Sequence, residues 1–374
     1  MKRRLLTIAF LAGLSGCGVD GGQDHAESDA CPSTVADLAL DVSGTAENGD
    51  LVFGYAAAAT RLADNAIVIA DRLGVAVRLI DQNGNLVRTV GREGGGPGEF
   101  RAVSWLGQCA PDSVFVWDSR QVRMSVFNRS GEFVRQYRVP ADPSITSRIS
   151  TVSCTRSGEF ALRGMPSRLS VPTPADPGPY SRAPLWIADV LGHVSQTFED
   201  IPWGEGRPLG KVSGVALSAG YVYVGSADSA FVDLYRTDGT FITLLSIGVE
   251  RRRPTERHYE HSIAMQVAGG GTVEFRREWH QRLREIPMPE YMPAYTGLFT
   301  DDIGMLWVVV SVPGDSATQL RALDREGTLL RDVYLPADTR VLEVGRDYII
   351  GAYEDADGEP HVAMYTMTPF ETGG

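Results

Sequence analysis

Motifs that would assign this chain to a common enzyme class are missing from its 374 residues. There is no Gly-Lys-Ser/Thr, which excludes a P-loop, and no GxSxG, which excludes the nucleophile elbow of α/β-hydrolases. The HExxH of zinc metalloproteases is also absent. The sequence therefore offers no ready-made catalytic motif, and its function has to be approached through its fold.

Histidine and cysteine are scarce, with six and four residues. His258 and His261 lie three residues apart on a predicted helix with His280 nearby, but the spacing fits neither HExxH nor its inverted form. The other histidines stand alone in the sequence and are expected at the surface rather than as ligands: His25, His193 and His361. We therefore assign no metal site and no cofactor from the sequence.

The N-terminus has the features of an export signal, with basic residues at 2–4 and an apolar run at 5–14 that is too short for a permanent membrane span. The next residues, LSGC at 14–17, resemble the bacterial lipobox. The resemblance implies that residues 1–16 are a signal peptide and that Cys17 is lipidated and becomes the mature N-terminus. By resemblance to enterobacterial lipoproteins, Gly18 rather than Asp after Cys17 implies the outer membrane over the inner one. The alternative is an ordinary secretory signal with an accidental cysteine.

The mature chain is strongly acidic, because loss of the three basic signal residues takes the net charge from −12 to −15. Such a surface repels nucleic acid and anionic lipid, so we expect no nucleic-acid partner and membrane attachment through the lipid alone. Residues 17–35 are mainly Gly, Asp, Glu, Ser and Gln without apolar periodicity, which is typical of a flexible tether. Residues 36–374 are expected to form one folded domain.

Five hairpin-like segments share a turn with glycine in its fourth position: Gly84, Gly131, Gly192, Gly239 and Gly327. Strand-like runs flank each turn, and a further run rich in β-branched and aromatic residues lies upstream. Two of the spacings are 47 residues, a length that suits blades of four antiparallel strands. A sixth unit near the C-terminus lacks an outer strand, and residues 37–42 form a spare one. We expect this N-terminal strand to close the last blade and the ring.

The stretch GREGGGPGEF at 91–100 joins the first unit to the second. Its glycines permit positive φ, Pro97 stiffens the bend and Phe100 supplies a ring to bury. A dinucleotide-binding loop is disfavoured, because Glu99 stands where that fingerprint needs glycine and no helix follows. The stretch resembles the inter-blade connector of bacterial six-bladed propeller proteins of the NHL-repeat type. This resemblance implies an all-β fold, a six-bladed β-propeller of four-stranded antiparallel blades.

Residues 254–293 have helical periodicity and predict a helical insertion between blades 4 and 5. The segment concentrates arginine and aromatic residues in an otherwise acidic chain. We predict that four of its residues lie over the axial opening and contact an anionic group of a partner: Arg252, Arg257, Trp279 and Arg282. The alternative is a helical brace whose arginines pair with carboxylates of the propeller.

The three cysteines other than Cys17 are an odd number for an oxidising compartment. Cys109 and Cys154 occupy matching places in adjacent units, 45 residues apart, close to one blade period. We therefore predict a disulfide between their inner strands and leave Cys31 unpaired. The alternative is a pair of unrelated buried thiols.

Together these features favour a lipid-anchored, monomeric and non-catalytic envelope protein that binds a protein, peptide or glycan, or acts as a scaffold. Propeller enzymes of the gluconolactonase and amidating-lyase kinds surround a metal with axial ligands. Candidates near the inner strands match neither ligand set: Asp64, Asn65, Asp71 and Asp118. The turn at Asp355 also lacks the full calcium-loop pattern. A metal-dependent hydrolase or lyase on the same fold is the alternative interpretation.

Overall fold

The computed structural model describes residues 33–46, 50–140, 149–166, 173, 181–268 and 272–369. Every described residue belongs to one compact unit, Cys31–Gly374. The predicted signal peptide, Cys17 and Cys31 lie outside the described residues. Within the described ranges, no helix combines the length and the apolar character needed to cross a membrane.

Six four-stranded antiparallel sheets follow one another along the chain, which confirms the predicted propeller. In blades 1 to 4 the strands occur in chain order across each sheet. Blade 1 contains β3 (Ala56–Arg61), β4 (Ile67–Asp71), β5 (Ala76–Ile80) and β6 (Leu86–Val90). Blade 2 contains β7 (Val103–Ala110), β8 (Ser113–Asp118), β9 (Arg123–Asn128) and β10 (Phe133–Arg138). Blade 3 contains β11 (Ile149–Cys154), β12 (Phe160–Gly164), β13 (Ser181–Ala188) and β14 (Val194–Gly204). Blade 4 contains β15 (Gly214–Ser218), β16 (Tyr221–Gly225), β17 (Phe231–Arg236) and β18 (Phe241–Ser246).

The last two blades both take a strand from the N-terminal segment. Blade 5 contains β19 (Gly297–Thr300), β20 (Leu306–Val309), β21 (Ala317–Leu323) and β22 (Leu329–Pro336), and β1 (Ser33–Val35) joins its outer edge in parallel. Blade 6 contains β23 (Arg340–Val344), β24 (Tyr348–Glu354) and β25 (Pro360–Thr366), with β2 (Asp37–Ser43) as its fourth strand. The predicted ring closure is thus confirmed. Ser33–Val35, which the sequence placed in the tether, is paired to the domain.

The core consists of separate hydrophobic clusters, one between each pair of neighbouring blades, including the pair formed by blades 6 and 1. Strand β4 contributes residues to two of these clusters. Ile67 and Ile69 pack in the cluster shared with blade 6, while Val68 and Ala70 pack in the cluster shared with blade 2. Alternate residues of a strand face opposite sides of a sheet, so a strand between two blades is apolar on both faces.

The turn and connector predictions are also confirmed. All five turn glycines have φ between +79° and +93°, a region that residues with a Cβ rarely adopt. In the connector between β6 and β7, Gly91 and Gly98 have positive φ and Phe100 is fully buried. The carboxylate of Glu99 accepts a hydrogen bond from Gly96 N at 2.8 Å and pairs with Arg92.

Two helices interrupt the strand pattern between blades 4 and 5, as predicted: α1 (Glu256–Ala268) and α2 (Val273–Arg284). Thr272 caps α2 by accepting the N–H of Phe275. Of the apolar stripe expected on α2, Leu283 is buried, but Phe275 is 54% exposed. Only the C-terminal half of α2 is therefore packed against the rest of the domain.

Candidate binding site

The helical insertion packs on the face of the propeller at which the outer strands connect to the next inner strands. Its core joins Tyr259 and Ile263 of α1, Leu283 of α2, Leu209 of the connector between blades 3 and 4, and Val312 of blade 5. The hydroxyl of Tyr259 donates a hydrogen bond to the carbonyl oxygen of Leu283 at 3.1 Å. These contacts fix the insertion beside the inner-strand ends of blades 4 and 5.

A carboxylate of blade 5 anchors the segment that leads into α1. Arg252 donates to both oxygens of Asp315, at 3.0 and 2.8 Å, and His258 Nε2 lies 3.4 Å from the same carboxylate. Burial alone would raise the pKa of Asp315, but hydrogen bonds from Arg252 and the Val312 N–H outweigh it and hold the pKa below its usual value. Arg252 is thus engaged within the protein in a bidentate pair.

A cavity of about 410 Å³ lies between α1 and the propeller. Its lining is mainly apolar and comes from α1, from blade 5, from the inner strand of blade 6 and from the connectors between blades. Leu209, Val212, Met265, Phe299, Val309 and Val341 are among these residues. Polar residues also line it, including Ser262, Asp338 and the ion pair of Glu205 with Arg207 at 2.9 Å. Its size and its combination of apolar walls with polar groups are typical of ligand sites.

Arg340, the first residue of β23, lines both this cavity and the axial channel beyond it. Its guanidinium donates a hydrogen bond to the carbonyl oxygen of Ala56 and lies 4.8 Å from the ring centroid of Tyr55. Burial lowers the pKa of Arg340. Among the described residues no carboxylate lies within ion-pair distance of Arg340, and the more distant carboxylate of Glu354 stabilises its charge only in part, because burial still lowers the pKa.

The axial channel encloses about 600 Å³ and is lined by residues of all six inner strands. Glu343 of β23 faces it and accepts hydrogen bonds from Thr60 Oγ1 at 2.6 Å, Arg61 N at 2.8 Å and Tyr348 OH at 2.9 Å. Burial raises the pKa of Glu343 despite these donors. A carboxylate whose pKa is raised in a cavity is a candidate for chemistry, although here three protein donors already occupy its oxygens.

The structure separates the four residues predicted to contact a ligand. Arg252 is bound to Asp315, and Arg257 is exposed on the first turn of α1. Trp279 is partly buried and stacks on Phe275, while Arg282 lies 5.9 Å from the Trp279 ring centroid. None of the four lines the cavity, which α1 lines with Ser262, Met265 and Gln266 instead. A ligand contact by these four residues stays a prediction.

The histidines of the insertion do not converge on a common point. His258 pairs with Asp315, His261 Nε2 lies 3.0 Å from Asp338 Oδ1, and His280 Nε2 lies 3.8 Å from Glu260. Each imidazole therefore serves a different contact between α1 and its neighbours.

Two acidic residues near the inner strands are structural. Asp71 is fully buried, accepts backbone N–H groups of Gly54 and Gly74, and pairs with Arg78 at 2.8 Å. Asp118 is also fully buried and accepts the backbone N–H of Arg101 at 2.7 Å. Both carboxylates hold turns and connectors in place, since buried backbone donors need acceptors.

The predicted disulfide between Cys109 and Cys154 is confirmed, with the two Cα atoms 5.5 Å apart. It joins inner strand β7 of blade 2 to inner strand β11 of blade 3. Cys109 is fully buried in the cluster between these blades. The alignment of the two repeat units that the prediction required is therefore correct.

The residues that line the cavity and the channel were not identified from the sequence. Arg340 and Met265 lie in ordinary strand and helix patterns, and no motif marks them. For Glu343 a signal was present, because an acidic residue within a predicted inner strand is unusual. The sequence alone could not show that its three donors come from strands at opposite ends of the chain.

No protein-family model matches this sequence, and no curated protein matches it. A member of the DUF4221 family from Bacteroides vulgatus is similar in structure, with a TM-score of 0.54 and 10% identity over 90% of this chain and 98% of that one. An exported protein from Bacteroides fragilis has a TM-score of 0.50 and 10% identity over 90% of this chain and 99% of that one. A gluconolactonase from Xanthomonas campestris scores 0.44 at 11% identity over 90% of this chain and 99% of that one, too low to support an inference. The first two similarities concern the fold alone.

Proposed function

We propose that this chain is a lipid-anchored, non-catalytic propeller of the NHL-like type in the bacterial cell envelope, and that it binds a peptide segment of a partner in the cavity beneath α1. The cavity carries this proposal, because about 410 Å³ with mainly aliphatic walls accommodates one or two apolar side chains. Met265 on its α1 wall adds adaptability, since methionine conforms to varied ligand shapes. Arg340 at the inner end of the cavity would pair with a carboxylate of the same ligand.

Peptide selection followed by a matched pair of substitutions tests this function. A random peptide display library is panned on the mature protein, and the affinity of each selected peptide is measured by fluorescence anisotropy. Met265→Trp fills the cavity and should weaken binding roughly tenfold or more. Met288→Trp is the control, because Met288 is exposed to a similar degree, 40% against 44%, and does not line the cavity.

If the selected peptides bind Met265→Trp with the affinity of the wild type, the peptide site lies elsewhere and the proposal is wrong. A glycan array run in parallel decides between ligand classes, because glycan binding without peptide binding would also overturn it.

Anchoring is tested by Cys17→Ala. The substitution should move the protein from the membrane fraction to the soluble fraction, because a lipidated cysteine is the attachment that we propose. Protein that remains with the membrane would contradict the lipid anchor while leaving the peptide proposal intact.

A metal-dependent hydrolase or lyase is the second candidate, and the raised pKa of Glu343 in the axial channel is the observation in its favour. The described residues bring no two further carboxylate, histidine or cysteine ligands to Glu343, so its surroundings do not fit a three-ligand metal site. Hydrolysis of a lactone with Ca²⁺ or Zn²⁺ supplied, abolished by Glu343→Gln, would favour the enzyme over the binding protein.

A further inference from the structure

The hairpin of blade 6 brings three possible metal ligands together away from the axial cavities. Asp355 and Glu359 lie in the turn between β24 and β25, and His361 follows on β25. One ligand atom from each lies within 4.8 Å of the others, and all three residues are partly buried. In the described part of the chain, this is the one set of three such residues that converges.

The imidazole of His361 is held in a single orientation. Its Nδ1 lies 3.1 Å from Asp41 Oδ1, the other oxygen of Asp41 accepts the hydroxyl of Tyr353 at 2.6 Å, and the imidazole stacks on the Tyr353 ring with centroids 4.8 Å apart. An ionised carboxylate only accepts hydrogen bonds, so the contact with Asp41 places a ring proton on Nδ1, and in the neutral imidazole the lone pair is then on Nε2. A histidine oriented by a carboxylate on its far nitrogen is the usual arrangement of a histidine that binds a metal.

The lone pair on His361 Nε2 has no hydrogen-bond partner, although the atom is buried. The carboxylate atom Asp355 Oδ2 lies 3.6 Å from Nε2, beyond hydrogen-bond distance. In tetrahedral zinc sites with bonds of about 2.0–2.1 Å, ligand atoms are roughly 3.4 Å apart. The distance of 3.6 Å between Nε2 and Oδ2 is therefore close to the distance between two atoms that bind the same zinc ion.

The two carboxylates are also fixed in place. Asp355 Oδ1 accepts the backbone N–H groups of Asp357 and Glu359, at 3.0 and 2.8 Å, which leaves Oδ2 directed at His361. Glu359 accepts the hydroxyl of Ser43 on the closing strand β2. Asp41 and Ser43 thus position ligands of blade 6 from the N-terminal strand, and the cluster exists only when the ring is closed.

We propose that His361 Nε2, Asp355 and Glu359 bind a divalent transition-metal ion, zinc above all, at the joint where β2 closes blade 6. One nitrogen and two carboxylate oxygens suit Zn²⁺, whereas Ca²⁺ and Mg²⁺ prefer all-oxygen sites. The three ligands leave a fourth position for water. The ion would link the turn to β25 and, through Asp41 and Ser43, would stabilise the ring closure.

Zinc binding by the mature protein, after treatment with a chelator, is measured by calorimetry and by the absorption spectrum of the Co²⁺ derivative. We expect one site, a higher unfolding temperature with zinc, and a loss of affinity of roughly 100-fold or more in His361→Gln. His193→Gln is the matched control, because His193 also faces the first aspartate of its turn, with Nδ1 3.0 Å from Asp189 Oδ2, but belongs to no three-ligand set. It should bind zinc as the wild type does.

Two further variants keep the proposal testable if His361→Gln does not fold. Asp355→Asn should fold, because Asn128 makes the same turn contacts in blade 2, yet it should lose affinity. Asp41→Asn should weaken binding about 10–100-fold without removing a ligand. Absence of a zinc site in the wild type, or equal affinity in all variants, would mean that His361 only bridges Asp41 and Asp355 as an imidazolium, and would overturn the proposal.

Discussion

The disulfide between Cys109 and Cys154 allows a quantitative test of how neighbouring blades are held together. Cys109→Ala combined with Cys154→Ala removes the covalent link between inner strands β7 and β11 and leaves only small changes in side-chain volume. The linked residues are 45 apart in sequence. In the chain-entropy account, a disulfide stabilises by restricting the unfolded chain, by an amount that grows with the logarithm of the loop length.

For a 45-residue loop the expected loss is about 4 kcal/mol, between the values for 15 and 100 residues. The unit Cys31–Gly374 contains 344 residues, so the entropy of unfolding is about 0.7 kcal/mol/K. The expected free-energy loss divided by this entropy gives a fall in the unfolding temperature of about 6 °C. Because the protein is large, a considerable free-energy change appears as a modest thermal shift.

The assay is thermal and urea unfolding of the wild type, the double variant and Cys31→Ala as a control. The control should unfold like the wild type, since we leave Cys31 unpaired. Peptide mapping without reductant should recover the 109–154 linked peptide from the wild type. A double variant within about 0.5 kcal/mol of the wild type would refute the reasoning, and free thiols at both positions would refute the disulfide itself.

Three other tests probe the closure, the channel and the insertion. Removal of the residues through Ser43 should lower the free energy of unfolding in urea by roughly 3–5 kcal/mol, because β2 makes six residue pairs with β25. Removal of the residues through Ala36, which leaves β2 in place, should lower it far less. Equal losses would contradict closure by β2. Burial raises the pKa of Glu343, so its stabilising contribution is complete below the unfolded pKa of about 4.3 and is lost as the pH rises through the folded value. Glu343→Gln should therefore gain stability relative to the wild type between pH 4 and pH 8, and a constant difference would be evidence against the raised pKa. Arg252→Ala should increase hydrogen exchange in α1 and lower the free energy of unfolding by about 1 kcal/mol. Arg253→Ala should change neither quantity, because the ion pair of Arg253 is about 70% exposed. Similar effects of the two substitutions would show that the bidentate pair does not anchor the insertion.

The propeller could be predicted because its signals are local and repeated. One of the runs rich in β-branched and aromatic residues that lie upstream of the turns is YVYVG, and it forms β16 (Tyr221–Gly225). Every predicted turn glycine has positive φ. The ring closure could be predicted because the sixth unit lacked an outer strand while residues 37–42 formed a strand without a partner, so we paired the two. Cys109 and Cys154 were paired by the same use of the repeat.

The residues that line the cavity could not be predicted in this way, because they depend on which loops meet. Helical periodicity identified α1 and α2 but did not say which side of α1 faces the propeller, and Met265 rather than Arg257 lines the cavity. The ligand contact predicted for the arginine-rich segment stays a prediction, and the sequence did not show that Arg252 is bound to a carboxylate of blade 5. In an acidic protein the first partners of a cation are often its own carboxylates.

The contact between Asp41 and His361 shows why a site formed by residues far apart in sequence is hard to predict, although the sequence determines it. The two residues are 320 apart in sequence, and neither belongs to a recognisable motif. They meet because β2 completes blade 6, and the register of that pairing places Asp41 beside Ala363 and Ser43 beside His361. A shift of one residue would turn Asp41 and Ser43 to the opposite face of the sheet, away from the hairpin. The apolar residue between them, Val42, prevents that shift, because it is buried between blades 6 and 1. The packing that closes the ring therefore also determines which polar side chains of β2 can reach the turn of blade 6.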